Sequence, residues 1–215
     1  MLKAAIFDMD GLLVDSEPFW QQAQLDILQP LGVEITRHDT TLTTGVRIDQ
    51  IVNLWYSRFP WPAPSKETVV NQIVQRVGEL VAEYKPLMPG VHEVLALCRK
   101  RELKIGLASS SPLELIHTVL KALDMTQTFD AIESAKFLAH GKPHPEVYLK
   151  CAQALHVQPT QCIAFEDSLP GLIAAKAARM HTVVVPEKSQ LEDPRWSIAD
   201  YCLASLQQVT HAHLN

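Results

Sequence analysis

Lys3-Ala4-Ala5-Ile6-Phe7-Asp8-Met9-Asp10-Gly11 decides how the rest of the chain is read. Its first half is a short apolar run, the composition of a strand buried on both faces. It ends abruptly in two carboxylates two residues apart. Like charges that close repel, and the usual relief is a raised pKa or a bound cation. At the carboxyl end of a strand in a parallel sheet, such a pair faces the crevice where ligands sit. The plainer reading is a strand-ending turn in which Asp caps the next segment and Gly11 supplies a positive φ. The remaining two hundred or so residues separate the two readings.

After Gly11, Ser16 stands as an N-cap with Pro18 in the first turn of a helix running to about residue 28, which Gly32 closes. From there to about residue 84 the pattern is helical with no convincing strand. One helix covers about residues 47–59. Another begins at Ser65, with Val69, Ile73, Val77, Leu80 and Val81 at helical spacing. From Pro89 onward helices alternate with buried, Val/Ile-rich runs. Helices at about 91–101, 112–123, 145–156 and 171–178 precede strands at 104–108, 131–134, 162–165 and 182–185 respectively. The tail adds a weak edge strand near 200–203 and a short helix near 206–209. This alternation predicts an α/β fold, a parallel sheet covered on both faces. The helical insert forms a small unit of its own, residues 16–86, on a core made of residues 1–15 and 87–215.

Composition narrows the function classes. The 215 residues are 47% hydrophobic and 20% charged, ordinary for a soluble globular protein, and the net charge of -5 leaves no electrostatic footprint for nucleic acid or an anionic membrane. No apolar run is long enough to cross a bilayer, and the N-terminus lacks a signal-peptide pattern. Cys98, Cys151, Cys162 and Cys202 are scattered without a C-x-x-C pair, so buried free thiols in a reducing compartment are expected. The histidines make no H-x-x-x-H pair or Cys/His cluster, and His211 and His213 are expected to be solvated.

The polar residues just past the strand ends are Asp8 and Asp10, Ser109 to Ser111, Lys142, and Glu166 and Asp167. If the strands are parallel, all of them face one crevice. Oxygen donors without imidazole or thiolate select Mg²⁺, which shares its coordination with waters and substrate phosphate. Lys142, in the stiff loop Gly141-Lys142-Pro143-His144-Pro145, could neutralise a carboxylate and a phosphate. Ser109, expected to open the next helix, could offer its hydroxyl and backbone N–H groups to an anion.

These four segments, in this order, resemble the signature motifs of the haloacid dehalogenase-like hydrolase superfamily. The resemblance spans residues 8 to 168 and implies a Rossmann-like, doubly wound core with a small α-helical cap inserted after the first strand. The sugar-phosphate phosphatases and β-phosphoglucomutases are the branch it looks like. Asp15-Ser16-Glu17-Pro18, Gly45-Val46-Arg47-Ile48-Asp49 and Leu54-Trp55-Tyr56 are similar to the bacterial hexitol and 2-deoxyglucose-6-phosphate phosphatases. The resemblance implies roles. Asp8 is the nucleophile and Asp10 the general acid and base. Mg²⁺ is held by Asp8, the Asp10 carbonyl and Asp167, with Glu166 in or beside its shell. Ser109, the Ser110 N–H and Lys142 hold the phosphoryl oxygens. Within the family pattern a carboxylate at Asp10 favours phosphoryl transfer from an alcohol over dehalogenation, because a halide leaves without a proton. Phosphonate cleavage in the superfamily uses a cap lysine, and Lys66 and Lys85 lie on no inward stripe.

In the insert, Trp20, Trp55 and Trp61 either pack a small core or face the apolar side of a sugar ring. Arg47 is a candidate for a substrate hydroxyl or phosphate and Glu17 for a sugar hydroxyl, each weighed against an ordinary helix-start role. The expected protein is a cytoplasmic, monomeric, Mg²⁺-dependent phosphatase of small phosphorylated metabolites, hexose or hexitol 6-phosphates. The alternatives are a β-phosphoglucomutase-type isomerase and a non-catalytic binding protein on the same fold.

Overall fold

A computed structural model describes residues 1–43 and 46–215. Six strands form one sheet: β1 Ala4–Phe7, β2 Lys104–Ser109, β3 Ala131–Ser134, β4 Cys162–Glu166, β5 His181–Val184 and β6 Tyr201–Cys202. The strand order is β3-β2-β1-β4-β5-β6, and every neighbouring pair is parallel. The chain thus builds outward from β1 on one side, then returns to β1 and builds outward on the other. That reversal lies between β1 and β4, the place where open α/β sheets bind ligands.

Alternation along the strands splits the interior in two. Ala5 and Phe7 share one face with Ile105, Leu107, Ile163 and Phe165, under helices α5 (Val91–Lys100) and α6 (Leu113–Ala122). Ala4 and Ile6 turn to the other face, under α7 (Glu146–Ala154) and α8 (Leu169–Ala177). Phe7 and Phe165 stack across β1 and β4 with ring centroids 4.5 Å apart. A buried Phe is worth about 1.5–3 kcal/mol, so the two strands that carry the acidic residues are also pinned by their side chains.

Between β1 and α5 the described residues form four α-helices: α1 Glu17–Leu28, α2 Arg37–Thr41, α3 Ile48–Arg58 and α4 Lys66–Tyr84. Ser65 caps α4 by accepting from the Thr68 N–H, and Thr36 with Asp39 forms a capping box on α2. The apolar side of the insert, with Val52, Val69, Ile73, Val77 and Val81, is continuous with the interior beneath α5 and α6. Packing of α4 on α6 closes that seam.

Three expectations change. Ser16 sits at the N-cap of α1, but its hydroxyl makes no capping bond and goes to Asp10 instead. Cys98, Cys151 and Cys162 are buried free thiols, whereas Cys202 is exposed, because β6 is a two-residue edge strand open to solvent. His213 is tied down: its ring meets Tyr201 edge-on, and Nδ1 accepts from the Thr210 N–H at 2.9 Å. Among the described residues, no helix is long and apolar enough to cross a membrane.

Candidate active site

Strand β1 delivers Asp8 to the carboxyl edge of the sheet, and the loop before α7 brings Lys142 over it. The Lys142 Nζ donates to Asp8 Oδ1 at 2.6 Å, to Glu166 Oε1 at 2.6 Å and to the Ala108 carbonyl at 3.0 Å. The ammonium therefore ties β1, β2 and β4 together from a side chain only 4% exposed. Glu166 is fully engaged. Its Oε1 also accepts from the Tyr148 hydroxyl at 2.5 Å, and its Oε2 accepts from the N–H groups of Asp167 and Ser168 and from the Ser168 hydroxyl. The carboxylate lies flat against Gly171 in the first turn of α8, where a Cβ would fall 1.9 Å from Oε1. Residue 171 must therefore lack a side chain for Glu166 to lie where Lys142 needs it.

Asp10 faces the insert. Its Oδ1 accepts from the Ser16 hydroxyl at 2.6 Å and from Trp20 Nε1 at 2.9 Å, and its Oδ2 accepts from the Ser111 hydroxyl at 2.7 Å. Three donors from two different segments fix the carboxyl over the floor of the cleft. Gly11 follows at φ 79, and a Cβ there would lie 2.1 Å from Asp167 Oδ2. The turn needs glycine both for its backbone angle and for the space that Asp167 occupies.

Electrostatics set the chemistry. Burial pushes the Asp8 carboxyl up to about 7, with Glu166 and Asp10 adding repulsion and Lys142 opposing it. Asp167 is driven well above the usual carboxylate range by burial first, then by Glu166 and Asp8. Lys142 stays charged, because Asp8 and Glu166 more than offset the burial that would lower it. Burial and Glu166 likewise keep Tyr148 protonated, so it serves as a donor. Oxygens of Asp8, Glu166 and Asp167 lie within 4.8 Å of one another. Three carboxyl groups against one ammonium leave a deficit of positive charge, and a small divalent cation fits such a set of hard oxygen donors. Glu166 already has donors on both oxygens, so Asp8 and Asp167 are the side chains best placed to take the ion.

A cleft opens over this floor. Asp8, Asp10, Ser109, Ser110, Lys142 and Asp167 line its sheet side, while Glu17 and Arg47 line the side made by the insert; Glu166 lies beneath. Ser109 is not at a helix start as expected: it is the last residue of β2, and α6 begins only at Leu113 with Pro112 at its N-cap. Its hydroxyl accepts from the Ser111 N–H at 2.9 Å and lies 3.5 Å from Asp10 Oδ2. Arg47 pairs with Asp49 through two bonds of 2.6 and 2.8 Å and also donates to the Leu138 carbonyl at 3.2 Å, joining insert to core. Gly45 of the same motif lies outside the described residues. Lys66 donates to Asn53 at 2.6 Å and does not line this cleft. His144 is exposed, with Nδ1 3.9 Å from Glu146.

Sequence reading missed Tyr148, Ser16 as a partner of Asp10, Trp20 as a donor and Gly171, and it placed Ser111 at the crevice without its bond to Asp10. One signal was available. Ser16 and Trp20 are four apart on α1, so the hydroxyl and the indole share the face that looks at Asp10. Tyr148 stands among apolar residues on α7, and nothing local separates it from packing.

The chain matches the haloacid dehalogenase-like hydrolase family over residues 2–179. It is 51% identical over 208 residues to hexitol phosphatase B of Escherichia coli (strain K12), covering 96% of this chain and 94% of that protein. Among solved structures, CbbY from Rhodobacter sphaeroides in complex with phosphate superposes with a TM-score of 0.87 at 27% identity, covering 100% of this chain and 99% of that one. A β-phosphoglucomutase from Clostridium difficile gives 0.86 at 25% identity, covering 100% and 96%.

Proposed function

The chain belongs to the haloacid dehalogenase-like hydrolases, and we propose that its reaction is Mg²⁺-dependent hydrolysis of hexose or hexitol 6-phosphates, 2-deoxyglucose 6-phosphate among them. As an enzyme it is a phosphoric monoester hydrolase, which sets aside the non-catalytic alternative. The observation that carries the reading is Lys142, 2.6 Å from both Asp8 and Glu166 at the switch point of the sheet, where anionic substrate would meet a buried ammonium. The 51% identity to a hexitol phosphatase supports the choice of substrate class.

Asp8 Oδ attacks phosphorus and the bond to the sugar oxygen breaks, leaving an aspartyl phosphate. The Asp10 carboxyl gives its proton to the departing alkoxide. It then takes a proton from the water that attacks the same phosphorus, releasing inorganic phosphate and restoring Asp8. Lys142, Ser109 and the Ser110 N–H hold the equatorial oxygens, so catalysis is mainly positioning and charge stabilisation. Asp8, the Asp10 carbonyl and Asp167 would hold Mg²⁺, with Glu166 beside them. The ion supplies positive charge that keeps Asp8 ionised and neutralises the phosphoryl group.

Residues 16–86 act as the cap on a core of residues 1–15 and 87–215, and Glu17 and Arg47 meet the sugar from that side. The enzyme works as a cytoplasmic monomer. A β-phosphoglucomutase-type reaction would use the same floor, and the resemblance to the Clostridium difficile mutase keeps it as the second reading. Purified protein tested on a panel of phosphate esters separates them. Phosphate release that needs Mg²⁺ and stops with chelator is expected. Isomerisation dependent on a sugar bisphosphate, without net phosphate release, would support the mutase reading instead.

A further inference from the structure

The two sides of the cleft have opposite polarity. At the floor the groups that meet an anion are donors, Lys142 foremost. On the side of the insert most donors are already used. Trp20 Nε1 is held by Asp10, Thr40 Oγ1 donates to the Arg37 carbonyl at 2.7 Å, and Thr43 Oγ1 donates to the Thr40 carbonyl at 2.9 Å. Three of the five N–H groups of the Arg47 guanidinium are taken by Asp49 and the Leu138 carbonyl.

Gln24 completes this side from α1, one turn beyond Trp20, and is 3% exposed. Its Nε2 donates to the Trp20 carbonyl at 3.2 Å. A carbonyl oxygen only accepts, so that bond fixes which end of the amide is which and leaves Oε1 as the acceptor. Among the described residues, Gln24 Oε1 and Trp55 Nε1 are the buried side-chain polar atoms without a partner, and of the two residues only Gln24 lines the cleft. Leaving a buried acceptor unmet costs about 1–3 kcal/mol, a cost that a donor on a bound ligand removes. A ligand that satisfies both ends carries anionic oxygens at one end and O–H donors at the other.

We infer that Gln24 is a specificity-determining residue whose Oε1 accepts a hydrogen bond from one hydroxyl of a polyol phosphate, not the one at carbon 2, so that the enzyme selects leaving groups that carry that hydroxyl over those that lack it. The inference rests on the phosphatase reading of the floor. A site built to pair with a substrate hydroxyl rejects the analogue that lacks it, because the protein group is then buried unpaired.

The test is kcat/KM for a hexitol 6-phosphate and for its single-deoxy analogues, with the wild-type enzyme and with Gln24→Met. In the wild type, removal of one particular hydroxyl should lower kcat/KM about ten- to a hundredfold. In Gln24→Met that analogue and its parent should be turned over with a ratio near one. Gln24→Ala, a truncation to a good helix former, should flatten the series in the same way and covers the case in which the Met variant fails to fold. A purely structural role would lower all substrates together and leave the wild-type ratios intact in the variants, which would overturn the inference. A flat deoxy series in an active wild-type enzyme also overturns it, and alone. A wild type inert toward every phosphate ester overturns the phosphatase reading, and this inference with it.

Discussion

Lys142 makes three bonds from one nitrogen, and the two carboxylates it touches have different surroundings. Asp8 has the ammonium on one side and the open cleft on the other, while Glu166 is held on every side by Lys142, Tyr148 and the start of α8. Breaking one partner of such a buried pair costs far more than the pair contributes, because a charge is left uncompensated. Tyr148 adds the outer support: its hydroxyl shares Glu166 Oε1 with Lys142. Tyr148→Phe removes one donor and no volume from the core. It should lower stability by about 0.5–1.5 kcal/mol and, by loosening Glu166 and Lys142, lower kcat by up to about tenfold. A thermal midpoint and a kcat both equal to wild type would show that the hydroxyl positions nothing. At this scale the sequence made Asp8, Lys142 and Glu166 visible because charges at strand ends need a reason. It hid Tyr148, which is apolar in every respect but one atom.

At the scale of elements, α1 does two jobs with one face. Ser16 and Trp20 hold Asp10, and Gln24 continues the same line one turn further. A spacing of four residues made that face legible in principle, but the direction in which it points depends on how the insert packs, which no local pattern encodes. Strands β1 to β5 were readable from apolar runs and their flanking breaks, whereas the ends of the helices shifted by a few residues where Pro112 and Ser168 serve as caps. The edge of the sheet depends on a single side chain. Asp200 accepts from the Thr182 N–H at 2.7 Å, the Thr182 hydroxyl at 2.9 Å and Lys176 at 3.0 Å, tying the approach to β6 onto the start of β5 and the end of α8. Burial alone would raise its carboxyl, but the bonds from Lys176 and Thr182 outweigh it and hold the group below its ordinary value of 3.8. The folded state thus binds the Asp200 proton more weakly than the unfolded chain does. Its stabilisation is complete above 3.8 and is lost as pH falls through the lower folded value. Asp200→Asn should cost about 1 kcal/mol at neutral pH, and the gap to wild type should close in strongly acidic urea melts. A gap that is constant with pH would contradict the ionic part of this account.

At the scale of the whole molecule, the strand order β3-β2-β1-β4-β5-β6 brings residues separated by more than a hundred positions to one edge. Asp8 follows β1, Ser109 closes β2, Lys142 comes after β3, and Glu166 closes β4 with Asp167 just beyond. The alternation of helix and strand made this convergence predictable, because parallel strands joined by helical crossovers must place their carboxyl ends on one side. The seating of the insert was less legible. Its apolar residues show that it folds, but the bonds that dock it, Ser16 and Trp20 to Asp10 and Arg47 to Leu138, are single contacts between distant segments. Phosphate-monoester hydrolysis without catalysis is among the slowest reactions, with enzymatic enhancements of up to roughly 10²¹, so an enzyme of this kind deprived of its nucleophile has almost nothing left. The most direct measurement is phosphate release from a hexitol 6-phosphate in the presence of Mg²⁺ by the wild type and by Asp8→Asn, with folding checked by thermal melting. The expected result is turnover by the wild type, and none measurable by a variant that still melts as a folded protein. Substantial phosphate release by folded Asp8→Asn would contradict covalent catalysis at Asp8.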